Sequence, residues 1–207
     1  MTLTIDVYSD VICPWCFVGK KRLEQALQSL PQSVEVKIQY HPFELNPNTP
    51  PEGWDRKKYL NEKYGDRIKE ADKYLLELGK EAGIDFNFEK TKRIPNTFNA
   101  HRVLWLAEKE GLQAKAAEIL FEAYFTEGKD LGDHQTLIEL GVRAGLDREK
   151  LEKMLAGKEG TDAIRKAELK GHQEGIWAVP HFKIGDRTLS GAQDPAVLAQ
   201  VILEEAQ

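Results

Sequence analysis

The sequence predicts an α/β fold in which a βαβ unit and a closing αββα unit flank a long all-helical insert. Three observations predict it. Short strand-like runs occur only towards the two ends of the chain, over residues 3–8, 34–40, 179–184 and 187–190. From Phe43 to about Gly160 apolar residues instead recur at helical spacing, with no convincing strand. Helical periodicity also fills the gap between the first two strands and flanks the last two.

The elements follow in order. Residues 3–8 form a short strand bounded by Ser9-Asp10. Asp6 within it is unusual for a central strand, and reads either as an exposed or capped carboxylate or as a buried proton acceptor for a thiol. After Cys13-Pro14-Trp15-Cys16, the residues Phe17, Leu23, Ala26, Leu27 and Leu30 form a helical stripe among Lys20, Lys21, Arg22 and Glu24, and Pro31 ends it. Residues 34–40 alternate apolar and polar, giving a strand with one buried face. The βαβ connection makes these two strands parallel. Pro42, Pro47, Pro50 and Pro51 mark an irregular segment. Helical stretches then cover residues 55–82, broken near Gly65, and 96–110, 112–127, 133–144 and 147–155. Asp133 and Asp147 stand as N-caps of the last two, and Gly111, Gly128, Gly145 and Gly157 sit at helix stops. The insert aromatics Trp105, Phe121 and Tyr124 read as core. Residues 162–172 are a helix, Gly185-Asp186 is a two-residue hairpin turn, and Asp194-Pro195 opens a final helix with Asp as N-cap and Pro in the first turn. The α/β part therefore spans residues 1–42 and 161–207, and the helical insertion domain spans 43–160. With the insert removed, the element order is that of a thioredoxin-like fold.

Composition narrows the function. The 207 residues are 41% hydrophobic and 30% charged, which suits a globular chain with a real core. The net charge of −5 is spread along the chain, with no basic block to point to nucleic acid. No apolar run approaches the length needed to span a membrane, and the first residues lack the basic start of a leader, so a cytoplasmic location is expected. The only cysteines, Cys13 and Cys16, are two residues apart, and a bridge between them would close too small a loop to act as a structural staple.

A Cys-x-x-Cys at a strand-to-helix turn carries redox chemistry for a physical reason. The unpaired first-turn N–H groups and the helix dipole favour a thiolate at Cys13, the form that attacks a disulfide. Cys16, one turn further, can resolve the mixed disulfide, and Pro14 suits the first turn because its missing N–H would be unpaired there. A half zinc site, with His41 and His181 as scattered partners, and a pair of ordinary buried thiols are the weaker readings. No metal or organic cofactor is called for.

The segment Ser9-Asp10-Val11-Ile12-Cys13-Pro14-Trp15-Cys16-Phe17-Val18-Gly19-Lys20 resembles the start of the FrnE-like branch of the DsbA family of thiol–disulfide oxidoreductases. The resemblance runs on through Pro42-Phe43-Glu44-Leu45-Asn46-Pro47, Pro95-Asn96-Thr97-Phe98-Asn99-Ala100-His101-Arg102, Val179-Pro180 and Ser190-Gly191-Ala192-Gln193, covering essentially the whole chain. It implies a thioredoxin fold with a helical insert over the active site, Cys13 as nucleophile, Cys16 as resolving cysteine and Pro180 as a cis proline facing them. It also implies that the Val179 backbone pairs with an extended substrate. His181 departs from the aromatic residue common after this proline; it reads as a partly exposed strand residue, or as a group tuning the thiolate. Trp15 is expected on the substrate surface with Pro14, and Phe43 and Asn46 are weighed for it. Asn96, His101 and Arg102 are weighed as cleft residues against capping and packing roles, and Lys20 and Lys21 lie too far along the helix to pair with the thiolate.

The expected activity is thus a protein disulfide oxidoreductase or isomerase acting on disulfide- or thiol-bearing proteins or small molecules, with glutathione open as a co-substrate and a homodimer open as the assembly. Two rivals share the fold: a glutathione-dependent small-molecule isomerase or transferase, and a client-binding module that needs neither thiol.

Overall fold

Alternation along the first strand puts Ile5 and Val7 on one fully buried face, and the fold is assembled around them. In chain order, a computed structural model has β1 (Leu3–Ser9), α1 (Pro14–Gln28), β2 (Val36–Pro42), β3 (Trp54–Asp55), α2 (Arg56–Tyr64), α3 (Arg67–Glu81), β4 (Arg93–Ile94) and α4 (Phe98–Lys109). There follow α5 (Gln113–Phe125), α6 (His134–Ala144), α7 (Arg148–Ala156), α8 (Thr161–Gln173), β5 (His181–Ile184), β6 (Arg187–Ser190) and α9 (Pro195–Glu205). The structure describes residues 2–207; Met1, part of the predicted first segment and of the leader argument, lies outside them.

The main sheet has the order β2-β1-β5-β6. β1 runs parallel to β2, with Val7 opposite Tyr40, and antiparallel to β5, with Val7 opposite Phe182. The Gly185-Asp186 turn joins β5 to β6 as an antiparallel hairpin, with Gly185 at φ 56°. The mixed α/β class and thioredoxin-like architecture are those the sequence predicts. α1 and α9 pack together, while α8 meets β2 and α4. Asp55, Asp133, Asp147 and Asp194 each cap a helix by accepting a backbone N–H. Among the described residues no helix is long and apolar enough to cross a membrane.

One expectation is corrected. The segment from residue 43 to 160 is not purely helical: Trp54–Asp55 and Arg93–Ile94 pair as a two-stranded antiparallel sheet. Two residues per strand leave no alternation to detect, and the partners are far apart in sequence. The pair fastens the irregular proline-rich segment to the loop before α4.

The insert joins the α/β part through aromatic packing. Phe17, in the second turn of α1, stacks on Phe121 at 5.0 Å and lies 6.1 Å from Phe125 and 5.9 Å from Phe86. Lys20 and Lys21 are drawn to Glu118 on α5, so both are occupied in tying α1 to the insert. On its other side α1 approaches β5 so closely that a Cβ on Gly19 would lie 3.1 Å from the Pro180 ring and 3.2 Å from Phe182.

That approach gives the first prediction. Gly19→Val forces Pro180 and the fully buried Phe182 aside, and is expected to lower unfolding free energy in urea by about 1–3 kcal/mol. An unchanged denaturation midpoint would show that α1 and β5 are not held this tightly.

Candidate active site

The site grows from the loop between β1 and α1. Asp10 accepts a hydrogen bond from the Cys13 N–H at 3.0 Å, closing a turn that delivers Cys13 to the N-cap position of α1. Pro14 occupies the first turn, and the Cys13 carbonyl accepts from the N–H groups of Cys16 at 3.0 Å and Phe17 at 3.2 Å. Both cysteines are free and largely buried. Burial pushes the Cys16 thiol well above its ordinary range, and the neighbouring Cys13 sulfur raises it further; hydrogen bonds from Asp10 backbone and the Ser9 side chain oppose this.

The second wall comes from the far end of the chain. The Val179–Pro180 peptide bond is cis. The Cys13 thiol donates to the Val179 carbonyl at 3.8 Å. The Pro180 carbonyl accepts from the N–H of Gly191, whose φ of 83° admits a glycine there. Arg22 of α1 donates to the Ala192 carbonyl at 2.7 Å, so the Ser190-Gly191-Ala192-Gln193 turn is held against the helix that carries the cysteines.

A cleft of about 460 Å³ opens over this junction. Cys13, Pro14, Trp15 and Val179 line it, with Leu45, Asn46 and the α2–α3 hairpin; Cys16 does not. Trp15 is 38% exposed and lies 6.0 Å from Tyr74 of α3.

Other candidates fall elsewhere. Asn96 donates to the Thr49 carbonyl at 2.9 Å and accepts from the Phe98 N–H at 3.0 Å, so it joins the proline-rich loop to the start of α4. Phe43 packs edge-on against His172, outside the cleft. Arg102 donates to the carbonyls of Met154, Gly157 and Glu159, closing the end of α7. His181 neighbours Phe182, which faces α1, so by alternation it points to the other side of the sheet, where its Nδ1 meets Ser190 Oγ at 3.0 Å. Burial lowers its basicity. Asp6 pairs with His41 at 2.7 Å.

His101 is buried beside a residue the sequence did not single out for function, Asp10, which has no exposed surface. Asp10 Oδ2 accepts from the Leu45 N–H at 2.8 Å and from the Thr97 hydroxyl at 3.3 Å. His101 Nε2 stands 3.5 Å from Oδ1, an ion-pair distance without an aligned hydrogen bond. Glu44 lies in the same row and accepts from Arg165. Burial, then the charge of Glu168, push the Glu44 carboxyl up to about 7, against the pull of Arg165. Burial resists a charge on His101, but Asp10, Glu44 and Glu168 together raise its proton affinity above the ordinary value. The only sequence signal for Asp10 was its place in the Ser9-Asp10 motif; nothing local marks it as buried.

Comparisons with known proteins show the family and the fold. The family model described as a DSBA-like thioredoxin domain matches residues 4–203. The Bacillus subtilis protein YwbO, itself uncharacterized, is 29% identical over 212 residues, spanning 99% of this chain and 98% of its own. A probable DsbA oxidoreductase from Streptomyces coelicolor superposes with a TM-score of 0.90 at 29% identity, over 98% of this chain and 89% of that one. The cytosolic disulfide reductase DsbM from Pseudomonas aeruginosa, solved with GSH, shares the fold with a TM-score of 0.66 at 16% identity, over 99% and 96% of the two chains.

Two predictions follow from the buried row. Asp10→Ala strips acceptors from Leu45 and Thr97 and leaves His101 without its counter-charge; a loss of about 3–5 kcal/mol in urea unfolding is expected. A loss under about 1 kcal/mol would contradict that role. Glu44 and His101 both hold a proton more tightly in the folded state. Stability therefore falls with rising pH, from 4.5 to about 7 for Glu44 and from 6.5 upward for His101. Thermal melts at about pH 5 and about pH 8 should show this drop, and Glu44→Gln should shrink it.

Proposed function

The chain belongs to the DSBA-like thioredoxin domain family, and from that premise we propose that it is a dithiol–disulfide oxidoreductase with Cys13 as nucleophile and Cys16 as resolving thiol. One observation carries the reading: at the N-terminus of α1, Cys13 lines the cleft while Cys16, one turn behind, does not.

The chemistry runs in two exchanges. The Cys13 thiolate attacks one sulfur of a substrate disulfide, the Cys13–substrate bond forms as the substrate bond breaks, and the departing thiolate takes a proton from solvent. Cys16 then loses its proton and attacks the Cys13 sulfur, forming Cys13–Cys16 and expelling the second substrate thiol. The protein gives up two electrons and the substrate gains them. The environment of Cys16 suits this order. Part of what holds its proton is the Cys13 sulfur. Burial remains the largest of these influences, but once Cys13 is bonded to substrate its own contribution is removed, while the hydrogen bonds from Asp10 and Ser9 still pull towards the Cys16 thiolate. The reverse sequence oxidises a dithiol, and attack on the mixed disulfide by another substrate thiol isomerises it.

Trp15 and Pro14 form the substrate-facing lip in this reading, and the Val179 backbone offers strand-like pairing to an extended substrate. His101 and Asn96 act by holding the loops around the cleft. The FrnE-like branch is the part of the family assigned here, the setting is the cytoplasm, as named for the Pseudomonas reductase, and glutathione, present in that structure, is a candidate thiol partner.

The test is single-turnover reduction of a peptide disulfide by the reduced protein. Cys13→Ser should lose at least about a hundredfold in rate, and Cys16→Ser should accumulate a mixed disulfide on Cys13 visible by mass spectrometry. Reduction that survives Cys13→Ser would overturn the proposal.

A further inference from the structure

The geometry points to a substrate class: we propose that the cleft over Cys13 selects small disulfides bearing carboxylates, with Lys63 and Arg67 as the cations that draw them in. This names a substrate for the oxidoreductase site and rests on that reading.

The charge at the cleft runs against the charge of the chain. The whole protein carries −5, yet the charged residues lining the cleft are Arg56, Lys63 and Arg67 against the single carboxylate of Asp72. Asp72 is committed to Arg56 at 3.3 Å, and the Arg56 guanidinium lies 4.8 Å from the centre of the Phe88 ring. Asp66, which lies between Lys63 and Arg67 in sequence, pairs instead with Lys69 at 3.3 Å. Lys63 and Arg67 are left to neutral partners. The Lys63 ammonium donates to the Tyr59 hydroxyl at 3.0 Å, and Arg67 Nε reaches the Tyr64 carbonyl at 3.4 Å. Among the described residues, two cations without a carboxylate partner therefore stand on the α2–α3 hairpin that walls the cleft.

Lys63 is also held in place. The Tyr59 hydroxyl that accepts from it donates in turn to Asn46 Oδ1 at 2.7 Å, and the Tyr59 ring stacks on Trp54 at 4.9 Å. The chain Lys63–Tyr59–Asn46 thus crosses from α2 to the proline-rich loop and keeps the ammonium on the cleft side, at less entropic cost on binding than a free lysine.

Size and lining suit a small molecule. A volume of about 460 Å³ lies within the usual range for small-ligand clefts. Ile12, Leu60, Leu75 and Trp15 offer apolar contact to the carbon skeleton around the disulfide. Carboxylates at the ends of such a molecule meet the two cations while its sulfur meets Cys13. The reaction is the one above: the Cys13–sulfur bond replaces one half of the substrate disulfide, Cys16 releases the other half, and the protein dithiol supplies both electrons.

Three dialkyl disulfides of like skeleton test this: 3,3′-dithiodipropionate (anionic), 2-hydroxyethyl disulfide (neutral) and cystamine (cationic). Each single-turnover rate with the reduced protein is divided by the rate with a small uncharged dithiol, which removes intrinsic reactivity. The anionic disulfide should then be favoured over the cationic one by roughly tenfold or more. The ratio should fall towards one in about 1 M salt, and in Lys63→Gln/Arg67→Gln, whose folding is checked by circular dichroism. Equal normalised rates for the three, or a ratio indifferent to salt and to the double variant, would overturn the charge selection while leaving the oxidoreductase reading in place. Failure of the protein to reduce any of the three would instead strike at that reading. Preference for an acidic peptide disulfide over dithiodipropionate would overturn the small-molecule assignment.

Discussion

A carboxylate with no exposed surface has to be surrounded by donors, and Asp10 meets that demand with groups from two stretches of chain far from it in sequence. Its side chain gathers the Leu45 N–H from the proline-rich loop, the Thr97 hydroxyl from the start of α4 and His101 one turn further along. Its own carbonyl holds the Cys13 N–H. The loop that presents the nucleophilic cysteine and the segments that roof it are therefore fastened at one residue. Moving any of them strips a partner from a buried carboxylate, which adds to the aromatic packing that holds the insert over α1.

The rest of the site is arranged around two close approaches. Gly19 lets α1 lie against Pro180 and Phe182, so a strand edge from the C-terminal end reaches a helix terminus from the N-terminal end. Phe17 fills the opposite side of α1 with the Phe86, Phe121 and Phe125 cluster of the insert. The cysteine helix is thus packed on both sides, with Cys13 at its open end facing the cleft. The insert contributes more than a cover: its α2–α3 hairpin supplies the cationic wall, whereas the α/β part supplies the thiols.

Much of this was legible in the chain because it is written in local signals. Cysteines with two residues between them after a short strand, aspartates at helix starts and the Asp194-Pro195 pair each act through neighbours in sequence, as the caps at Asp133, Asp147 and Asp194 show. The alternation of residues 3–8, 34–40 and 179–190 and the helical spacing between them carry the α/β class, although β5 begins only at His181 and β2 ends at Pro42. The paired strands β3 and β4 were missed because two residues each hold no period. Asp10 was missed as a centre of organisation, since an aspartate after a strand reads as a turn residue until Thr97 and His101 are brought to it.

Local patterns in the chain are enough to set the element order, the helix boundaries marked by caps and breakers, and the placing of a Cys-x-x-Cys pair at a strand-to-helix turn, because hydrogen bonding and side-chain period act over a few residues. It took the packed fold to show which thiol meets the cleft, that His181 faces away from it, and that Lys63 and Arg67 stand at its wall with no carboxylate partner among the described residues. Those facts depend on distances between residues tens to more than a hundred positions apart, and such distances are set by how the helices pack, which no local pattern records.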